Sequence, residues 1–370
     1  MIFFVLYGLF LLVVTIFSWG FVGNNFPFFA NNFLFDFFHK TWWFQGGFYC
    51  GVIIVFFIFY LFILNKARKR LIKDRYVWKI IVLTILILLP SFPAFSYDIF
   101  NYIATAKVAF LYKENPYIVM PIEIPNEPLL GFMHAANKTA LYGPIWIGLT
   151  TIPHSIGFNN LLITVFTFKI FIIFFYLGLV WLIWHVSEKN IQSVVFFALN
   201  PLVLLETFVS GHNDVVMMFF ALASFYCLKK RKFTFSIFLL FLSVFIKFAT
   251  IFFIPIYVYV IYLIMKRRKI VWPRLWFWSA VALYIVFFLS PLREEIYSWY
   301  LIWPLVFVAL IPNWEFLHFV TLALSFGLLF RFAPFLFTLN WGGATPVIKK
   351  IVTFLPPTLA GIYYAIREKI

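Results

Sequence analysis

The chain alternates long apolar runs with short polar segments. Runs of roughly twenty apolar residues recur along its whole length, and a run of that length is typical of a helix that crosses a bilayer. Strands are not expected, because an open sheet edge finds no hydrogen-bond partners in lipid. The pattern therefore predicts an all-α polytopic membrane protein with about twelve transmembrane helices.

The predicted spans are apolar segments separated by polar or proline-containing turns. They cover residues 1–21, 46–64, 77–92, 161–185, 191–209, 215–228, 233–248, 251–265, 272–289, 297–311, 316–336 and 346–366. The first run has no basic leader and no small-residue cleavage site, which favours a retained span over a signal peptide.

Composition and charge argue against a soluble domain and against a nucleic-acid-binding protein. The chain is 64% hydrophobic and 11% charged, with a mean hydropathy of +0.99, whereas a soluble domain carries about a quarter charged residues. The formal charge of +16 comes from short basic clusters between spans, so the positive-inside rule explains it and no nucleic-acid partner is expected. A phosphate-binding nucleotide loop is missing, which argues against an ATP-driven pump.

The basic clusters also orient the spans. The strongest cluster, at residues 66–70, marks the cytoplasmic side, so the span that follows it ends on the outer side. The clusters at 229–232 and 266–269 are cytoplasmic only if the short helix at 144–156 lies in the outer interface or re-enters it. We therefore predict a large outer loop at residues 94–160 with interfacial or re-entrant helices, and cytoplasmic termini.

This topology predicts three parts: a two-span anchor at residues 1–75, a catalytic core at 76–312, and C-terminal spans at 313–370. Inside the outer loop, a helical period continues to Leu111. The prolines from Pro121 to Pro128 predict an extended segment. Pro144 suits the first turn of the next helix.

Acidic side chains near apolar spans are costly to bury and suggest function. Asp98 and Asp214 both fall on the outer face in the predicted topology, and Glu206 precedes Asp214 by two turns. Helix capping is the alternative role for the two aspartates. Asn101 and Tyr102, however, follow Asp98 on the same helical face. We expect Asp98 to act as a general base in an active site that also contains Asp214.

Two of the lysines in predicted spans, Lys169 and Lys247, have no obvious acidic partner in the sequence. Lys247 is expected near the outer leaflet, where its ammonium either snorkels to the interface or binds a phosphate. Lys169 has the same two alternatives.

Histidine and aromatic residues supply further candidates. His212 and Asp214 are possible ligands of a divalent cation, although two ligands with one intervening residue are a weak signal. Trp299 and Tyr300 belong either to an interfacial aromatic belt or to a surface on which a sugar stacks.

Four groups of short motifs resemble a known family. They are Ser96-Tyr97-Asp98 with Asn101-Tyr102, Asn115-Pro116-Tyr117 and Tyr142-Gly143-Pro144; Asn200-Pro201-Leu202 with Glu206 and Gly211-His212-Asn213-Asp214; Lys247 with Pro255; and Trp299-Tyr300 with Trp303-Pro304. In order and spacing, over residues 76–305, they resemble the polyprenyl-phosphate-mannose-dependent mannosyltransferases of the GT-C superfamily. The bacterial α-(1→6) mannopyranosyltransferase group is the most similar.

The resemblance implies a GT-C-like fold, a polyprenyl-phosphate hexose donor (mannose) and inversion at the anomeric carbon. The acceptor would be a glycan or a lipid-linked molecule at the outer face of the plasma membrane. Asp98 and Asp214 would be catalytic. The positions assigned to sugar or phosphate binding are Asn101, Tyr102, Tyr142, Glu206, His212, Asn213, Lys247, Trp299 and Tyr300.

A transporter or flippase for a lipid-linked or sugar substrate is the alternative function. Such a protein would need inverted repeats and helices broken near the midplane, and the sequence contains no clear internal repeat. In a transporter, Asp98 and Asp214 would lie mid-membrane and face each side in turn. A lipid-linked polymer ligase ranks lower, since such enzymes use outer arginines and the long loop contains none.

Overall fold

The computed structural model describes residues 2–22, 33–133, 135–292 and 295–367. Over these residues the regular elements are helices and no strand occurs. The predicted all-α fold class is therefore confirmed.

The α-helices are numbered in chain order. The first nine are α1 (Ile2–Trp19), α2 (Phe33–Lys40), α3 (Trp42–Arg68), α4 (Asp74–Leu88), α5 (Asp98–Ala106), α6 (Pro144–Ile156), α7 (Leu161–Val186), α8 (Ile191–Ala198) and α9 (Pro201–Leu204). The rest are α10 (Asp214–Lys229), α11 (Phe233–Val244), α12 (Ile254–Met265), α13 (Trp272–Leu289), α14 (Ile302–Ala309), α15 (Glu315–Phe330), α16 (Ala333–Thr338) and α17 (Thr345–Arg367).

Within the described residues, six helical segments are long and apolar enough to cross a membrane. They are Ile2–Trp19, Trp42–Arg68, Leu161–Val186, Phe248–Met265, Trp272–Leu292 and Glu315–Thr338. Each of the other predicted spans also contains helix, but α4 has 15 residues and α11 has 12, which is short for a bilayer. The chain is a helical membrane protein, and the number of about twelve spans stays a prediction.

The predicted span at 191–209 is broken. Helix α8 ends before Asn200, and the next helical stretch, Pro201–Val209, is bent from it by 54°. Pro201 has no N–H to continue α8, and the Asn200 side chain accepts a hydrogen bond from the backbone N of Leu202 at 2.9 Å. Counted as one span, this bent pair would be the seventh.

The predicted outer loop, residues 94–160, differs from its prediction in one segment. Helix α5 continues as a π-helix, Lys107–Leu111, as its period predicts. The proline-rich part that follows is not extended, because Pro121–Glu123 and Pro128–Phe132 form short 3-10 helices. In both, proline occupies a first-turn position where its missing N–H is tolerated. The prediction of an extended segment is wrong there.

The chain divides into two compact units. Unit 1 contains residues 1–92, 183–205 and 253–370, and unit 2 contains 93–182 and 206–252. The functional division into 1–75, 76–312 and 313–370 stays a prediction.

In unit 1, buried polar contacts join helices that are distant in sequence. The Tyr60 hydroxyl donates to the backbone O of Phe196 at 2.9 Å, and the Ser325 hydroxyl donates to Asn200 Oδ1 at 2.7 Å. At Gly327, a Cβ atom would lie 2.3 Å from the backbone O of Thr353. A glycine there lets α15 and α17 approach closely, as small residues do between membrane helices.

In unit 2, α5 packs against α6, and α10 packs against α11. The Ser243 hydroxyl on α11 donates to the backbone O of Met217 on α10 at 2.9 Å. The Thr167 hydroxyl on α7 donates to the backbone O of Pro153 on α6 at 2.8 Å. These contacts hold together the helices that carry most of the predicted site residues.

Candidate functional site

Most of the predicted site residues lie in unit 2, where they form what we call the polar cluster. Its members are Asp98, Asn101, Tyr102, Glu206, His212, Asn213, Asp214 and Lys247. They come from the start of α5, from the segment between α9 and α10 together with the first residue of α10, and from the chain just after α11.

A sharp turn brings the middle segment against α5. Residues Leu205–Val209 form a π-helix, and Gly211 follows with φ +76°, a backbone region that glycine adopts without strain. A Cβ atom on Gly211 would lie 2.9 Å from Ile99 Cδ1. The backbone N of His212 then donates to the backbone O of Glu206 at 2.9 Å. The turn therefore sets His212 beside the first turn of α5.

Asp98 is the partly accessible carboxylate of the cluster, with a side chain that is 26% exposed. Its Oδ1 accepts from Asn101 Nδ2 at 3.4 Å, and its Oδ2 lies 4.0 Å from His212 Nε2. The N-cap positions of α5 and α10 are Tyr97 and Asn213, and neither helix has a side-chain cap hydrogen bond. Helix capping therefore does not account for Asp98 or Asp214.

Asp214 and Lys247 form a close ion pair. Lys247 Nζ lies 2.8 Å from Asp214 Oδ1 and 2.9 Å from Oδ2. The Asp214 side chain is fully buried, whereas that of Lys247 is 16% exposed. Lys247 is thus held inside unit 2 by a carboxylate and does not snorkel away from it.

The ion pair between Asp214 and Lys247 also affects whether Asp214 and His212 could bind a divalent cation. In the described part of the chain, no three His, Cys, Asp or Glu side chains are grouped so that they could hold a metal ion. Asp214 already has the Lys247 ammonium against both of its oxygens. A metal held by Asp214 and His212 would have to displace that ammonium.

His212 is buried between two carboxylates. Its Nδ1 lies 3.4 Å from Glu206 Oε2, and its Nε2 faces Asp98. Burial, and then the positive charge of Lys247, lowers the pKa of His212 well below its usual value. The imidazole is therefore neutral at pH 7, with one N–H to donate and one nitrogen to accept.

Tyr102 and Asn213 join the two segments. The Tyr102 hydroxyl oxygen accepts from the backbone N of Asn213 at 3.3 Å, and its ring packs edge-on against Tyr142, with 4.7 Å between centroids. Burial, and then the neighbouring Tyr142, Asp98 and Asp214, raises the pKa of Tyr102. Tyr102 is fully enclosed, so it fixes the Asn213 backbone in place.

Two buried amides retain unused hydrogen-bonding capacity. Neither Asn213 Oδ1 nor Nδ2 has a hydrogen-bond partner among the described residues, and the same holds for Asn101 Oδ1. An unpaired buried polar group is costly, so a polar ligand with hydroxyl groups would complement these amides.

One contact was missed from the sequence. The backbone N of Gly143 donates to the backbone O of Ile246, and that of Ile145 donates to the O of Phe245, both at 3.1 Å. A Cβ atom on Gly143 would lie 2.0 Å from the Phe245 oxygen. The start of α6 therefore holds the backbone that immediately precedes Lys247. The Gly143-Pro144 motif marked a helix start, but nothing in it indicated this partner.

Trp146 was also missed. It is fully buried, its ring centroid lies 5.1 Å from that of Tyr102, and its Nε1 has no hydrogen-bond partner among the described residues. Its position in α6, one turn after Tyr142, was the available signal.

Three further candidates, Trp299, Tyr300 and Lys169, do not belong to the polar cluster. Trp299 and Tyr300 lie in unit 1, where Trp299 stacks on Tyr297 at 4.5 Å and Tyr300 on Trp303 at 4.4 Å. Lys169 is fully buried in α7, with its Nζ 5.8 Å from the centroid of the Phe166 ring. It therefore does not reach the surface, and the snorkelling alternative is wrong for Lys169.

The fold is that of a helical membrane protein, and its candidate site is the largely buried polar cluster. A family model described as "Alpha-(1->6)-mannopyranosyltransferase, N-terminal domain" matches residues 3–263. The chain belongs to this family and is a membrane mannosyltransferase, which confirms the resemblance to the bacterial α-(1→6) mannopyranosyltransferase group. No protein of curated function and no solved structure matches the chain. The matched range includes the whole polar cluster but not Trp299 or Tyr300.

Proposed function

We propose that the chain transfers mannose from a polyprenyl-phosphate donor to a glycan or lipid-linked acceptor at the outer face of the plasma membrane. The enzyme would be of the GT-C type, with about twelve spans and with α6 lying in the outer interface. Transfer would invert the anomeric carbon.

The observation that carries the proposal is the pair of accessible charges in an otherwise buried cluster. Asp98 presents a carboxylate that is 26% exposed, and Lys247 presents an ammonium on a side chain that is 16% exposed. Transfer from a phosphate donor needs a base for the acceptor hydroxyl and a positive charge for the leaving phosphate. The polar cluster offers one of each.

In the proposed reaction, Asp98 takes the proton of the acceptor hydroxyl as its oxygen bonds to the anomeric carbon. The bond from that carbon to the phosphate oxygen breaks on the opposite face, and the phosphate leaves with its electron pair. Lys247 stabilises the charge that develops on the phosphate. General-base assistance of this kind contributes roughly 10²–10⁴-fold.

The other residues position these two. Asp214 orients the Lys247 ammonium and is not itself the base, since it is fully buried in the ion pair. His212, being neutral, lies beside Asp98 and supplies no charge to the phosphate. Asn101 and Asn213 bind sugar hydroxyls through their unused amide groups.

We assign roles to the remaining site residues from the contacts that each of them makes. Glu206 holds the His212 ring. Tyr142 and the buried Tyr102 line the site and fix its backbone. We further propose that a sugar stacks on Trp299 and Tyr300. Family membership favours a transferase over the transporter alternative.

The proposal is tested by Asp98→Asn in membranes supplied with a polyprenyl-phosphate mannose donor. We expect transfer to fall at least about 100-fold at equal expression, as the loss of a general base requires. Asp74→Asn is the matched control, because Asp74 is an exposed aspartate at the start of α4. Near wild-type transfer by Asp98→Asn would show that another group is the base.

A further inference from the structure

Unit 1 contains a second group of charged side chains, which we call the Glu295 cluster. Glu295 Oε1 accepts from both Arg331 Nη2 and Lys349 Nζ, the latter at 2.7 Å. Arg331 Nη1 also donates to Thr353 Oγ1 at 3.4 Å, and Lys349 Nζ lies 4.8 Å from the centroid of the Trp341 ring. Two cations therefore share one oxygen of a single carboxylate.

The cations of the Glu295 cluster are more enclosed than their partner. The side chains of Arg331 and Lys349 are 12% and 11% exposed, against 42% for Glu295. Partial burial raises the pKa of Glu295, but the hydrogen bond from Lys349 and the charges of both cations outweigh it and lower that pKa. With Glu295 ionised, the three side chains carry a net charge of +1.

Several N–H groups of this cluster are unused. A guanidinium has five N–H donors and an ammonium has three, whereas Arg331 makes two hydrogen bonds and Lys349 makes one with the described residues. An enclosed excess charge is costly unless an opposite charge compensates it. The free donors and the net charge both call for an anion.

The position of the cluster indicates which anion. Glu295 follows α13, Arg331 lies in the break between α15 and α16, and Lys349 lies near the start of α17. Two of the segments long and apolar enough to cross a membrane, Trp272–Leu292 and Glu315–Thr338, end within seven residues of Glu295 and Arg331, as expected near the boundary between hydrocarbon and headgroups. Basic pockets between membrane helices can bind the phosphates of lipid head groups.

We propose that Arg331 and Lys349, with Thr353 and Trp341, form an anion site for the phosphate of a membrane lipid. Two lipids share this chemistry: an anionic phospholipid of the bilayer and a polyprenyl phosphate. All of its residues lie in unit 1, and binding to it can be measured without mannose transfer.

The test is lipid titration of the purified full-length protein in mild detergent, followed by native mass spectrometry. Phosphatidylglycerol and a polyprenyl phosphate are titrated separately, with phosphatidylcholine as the zwitterionic reference. Lys349→Met should weaken the tightest site about tenfold, since it removes a charge-assisted hydrogen bond. Because the polar cluster is itself proposed to bind a polyprenyl phosphate, the lipid whose binding Lys349→Met weakens, and not the lipid that binds more tightly, identifies the source of the phosphate.

Lys350→Met is the matched control, because Lys350 is the adjacent lysine and is exposed. It should leave the affinity of the tightest site within about twofold, as expected for an exposed charge. Equal effects of Lys349→Met and Lys350→Met, or no effect of either, would overturn the proposal.

Glu295→Gln separates a lipid site from a purely internal ion pair. Removing the competing carboxylate raises the charge of the cluster, so an anion site should bind its lipid more tightly. Weaker or unchanged binding in Glu295→Gln would mean that the two cations serve Glu295 alone. Thermal unfolding of each variant identifies protein that has failed to fold.

Discussion

At the residue scale, the ion pair between Asp214 and Lys247 combines a structural and a chemical role. The Asp214 carboxylate is fully buried, and the Lys247 ammonium contacts both of its oxygens. Removing one partner of a buried pair leaves an uncompensated charge, whereas replacing both can be nearly neutral. Substitutions of the two residues can therefore separate folding from chemistry.

We expect Lys247→Met to destabilise the protein by about 3–5 kcal/mol, because Asp214 loses its counter-charge. The double variant Lys247→Met, Asp214→Asn should recover most of that stability. Neither variant should regain mannose transfer, since both lack the ammonium proposed for the phosphate. Thermal unfolding in detergent and a transfer assay measure the two effects. A double variant as unstable as Lys247→Met would contradict the structural role of the pair.

The sequence predicted the charged residues of the polar cluster but not how they pair. The expense of an ionisable group near lipid identified Asp98, Asp214 and Lys247, and the structure groups them in unit 2. The pairing of Asp214 with Lys247 was not predicted. The two residues are 33 positions apart and meet through the packing of α10 on α11, which no local pattern specifies.

At the element scale, the start of α6 is fixed against the end of α11. Gly143 and Ile145 donate to the backbone oxygens of Ile246 and Phe245, so they satisfy carbonyls at a helix end that would otherwise lack partners. Pro144, between them, has no N–H to lose. The bounds of α6 agree with the sequence prediction because they depend on Pro144, a local signal.

Gly143→Ala should displace this contact, because the new Cβ would lie 2.0 Å from the Phe245 oxygen. We expect reduced thermal stability and a loss of transfer as the backbone before Lys247 shifts. Gly148→Ala is the control within the same helix, since nothing lies within 4 Å of its Cβ position. It should be neutral or stabilising by up to about 1 kcal/mol. Similar losses in both variants would indicate a general sensitivity of α6.

A buried ion pair secures the proline-rich part of the outer loop to the extension of α5. Glu127 accepts from Lys107 Nζ at 2.6 Å, from the backbone N of Leu129 at 3.0 Å and from the Tyr112 hydroxyl. Burial alone would raise the pKa of Glu127, but these hydrogen bonds and the charge of Lys107 lower it. No sequence pattern indicated the pairing of Glu127 with Lys107, because charges in a polar loop are usually solvated.

The lowered pKa of Glu127 makes the stability of the loop dependent on pH. Its contribution is fully present above the unfolded pKa of about 4.3 and is lost as the pH falls through the lower folded pKa. The protection factors of residues 112–132 in hydrogen exchange, which are corrected for the intrinsic pH dependence of exchange, should therefore fall below about pH 4. In Glu127→Gln, these protection factors should already be lower at pH 7, with little further change on acidification. Glu123→Gln, at an exposed glutamate of the same loop, should behave like the wild type.

At the scale of the whole molecule, helix positions followed from the sequence more reliably than the span count. Helix α13 has the predicted bounds, Trp272–Leu289, because an apolar run between polar turns is a strong local signal. Helices α4 and α11 also lie in apolar runs but are short, and apolarity alone cannot separate a tilted or broken span from a buried helix. The break at Asn200-Pro201 illustrates that limit.

The sidedness of the molecule depends on α6. This helix has 13 residues, a length of about 20 Å at 1.5 Å per residue, whereas the hydrocarbon core is about 30 Å thick. We therefore expect α6 not to cross the bilayer, so that residues 229–232 and 66–70 share the cytoplasmic side. If α6 crossed, the two basic clusters would face opposite sides.

Single cysteines in a Cys50→Ser, Cys227→Ser background test this topology with a maleimide that cannot cross membranes. Asn126→Cys, in the outer loop, should be labelled in intact cells. Arg70→Cys and Lys230→Cys should be labelled only after permeabilisation, because both belong to basic clusters retained on the cytoplasmic side. Labelling of Lys230→Cys but not Arg70→Cys in intact cells would mean that α6 spans the membrane. Labelling of Arg70→Cys but not Asn126→Cys would place the polar cluster on the cytoplasmic side and contradict an outer-face reaction.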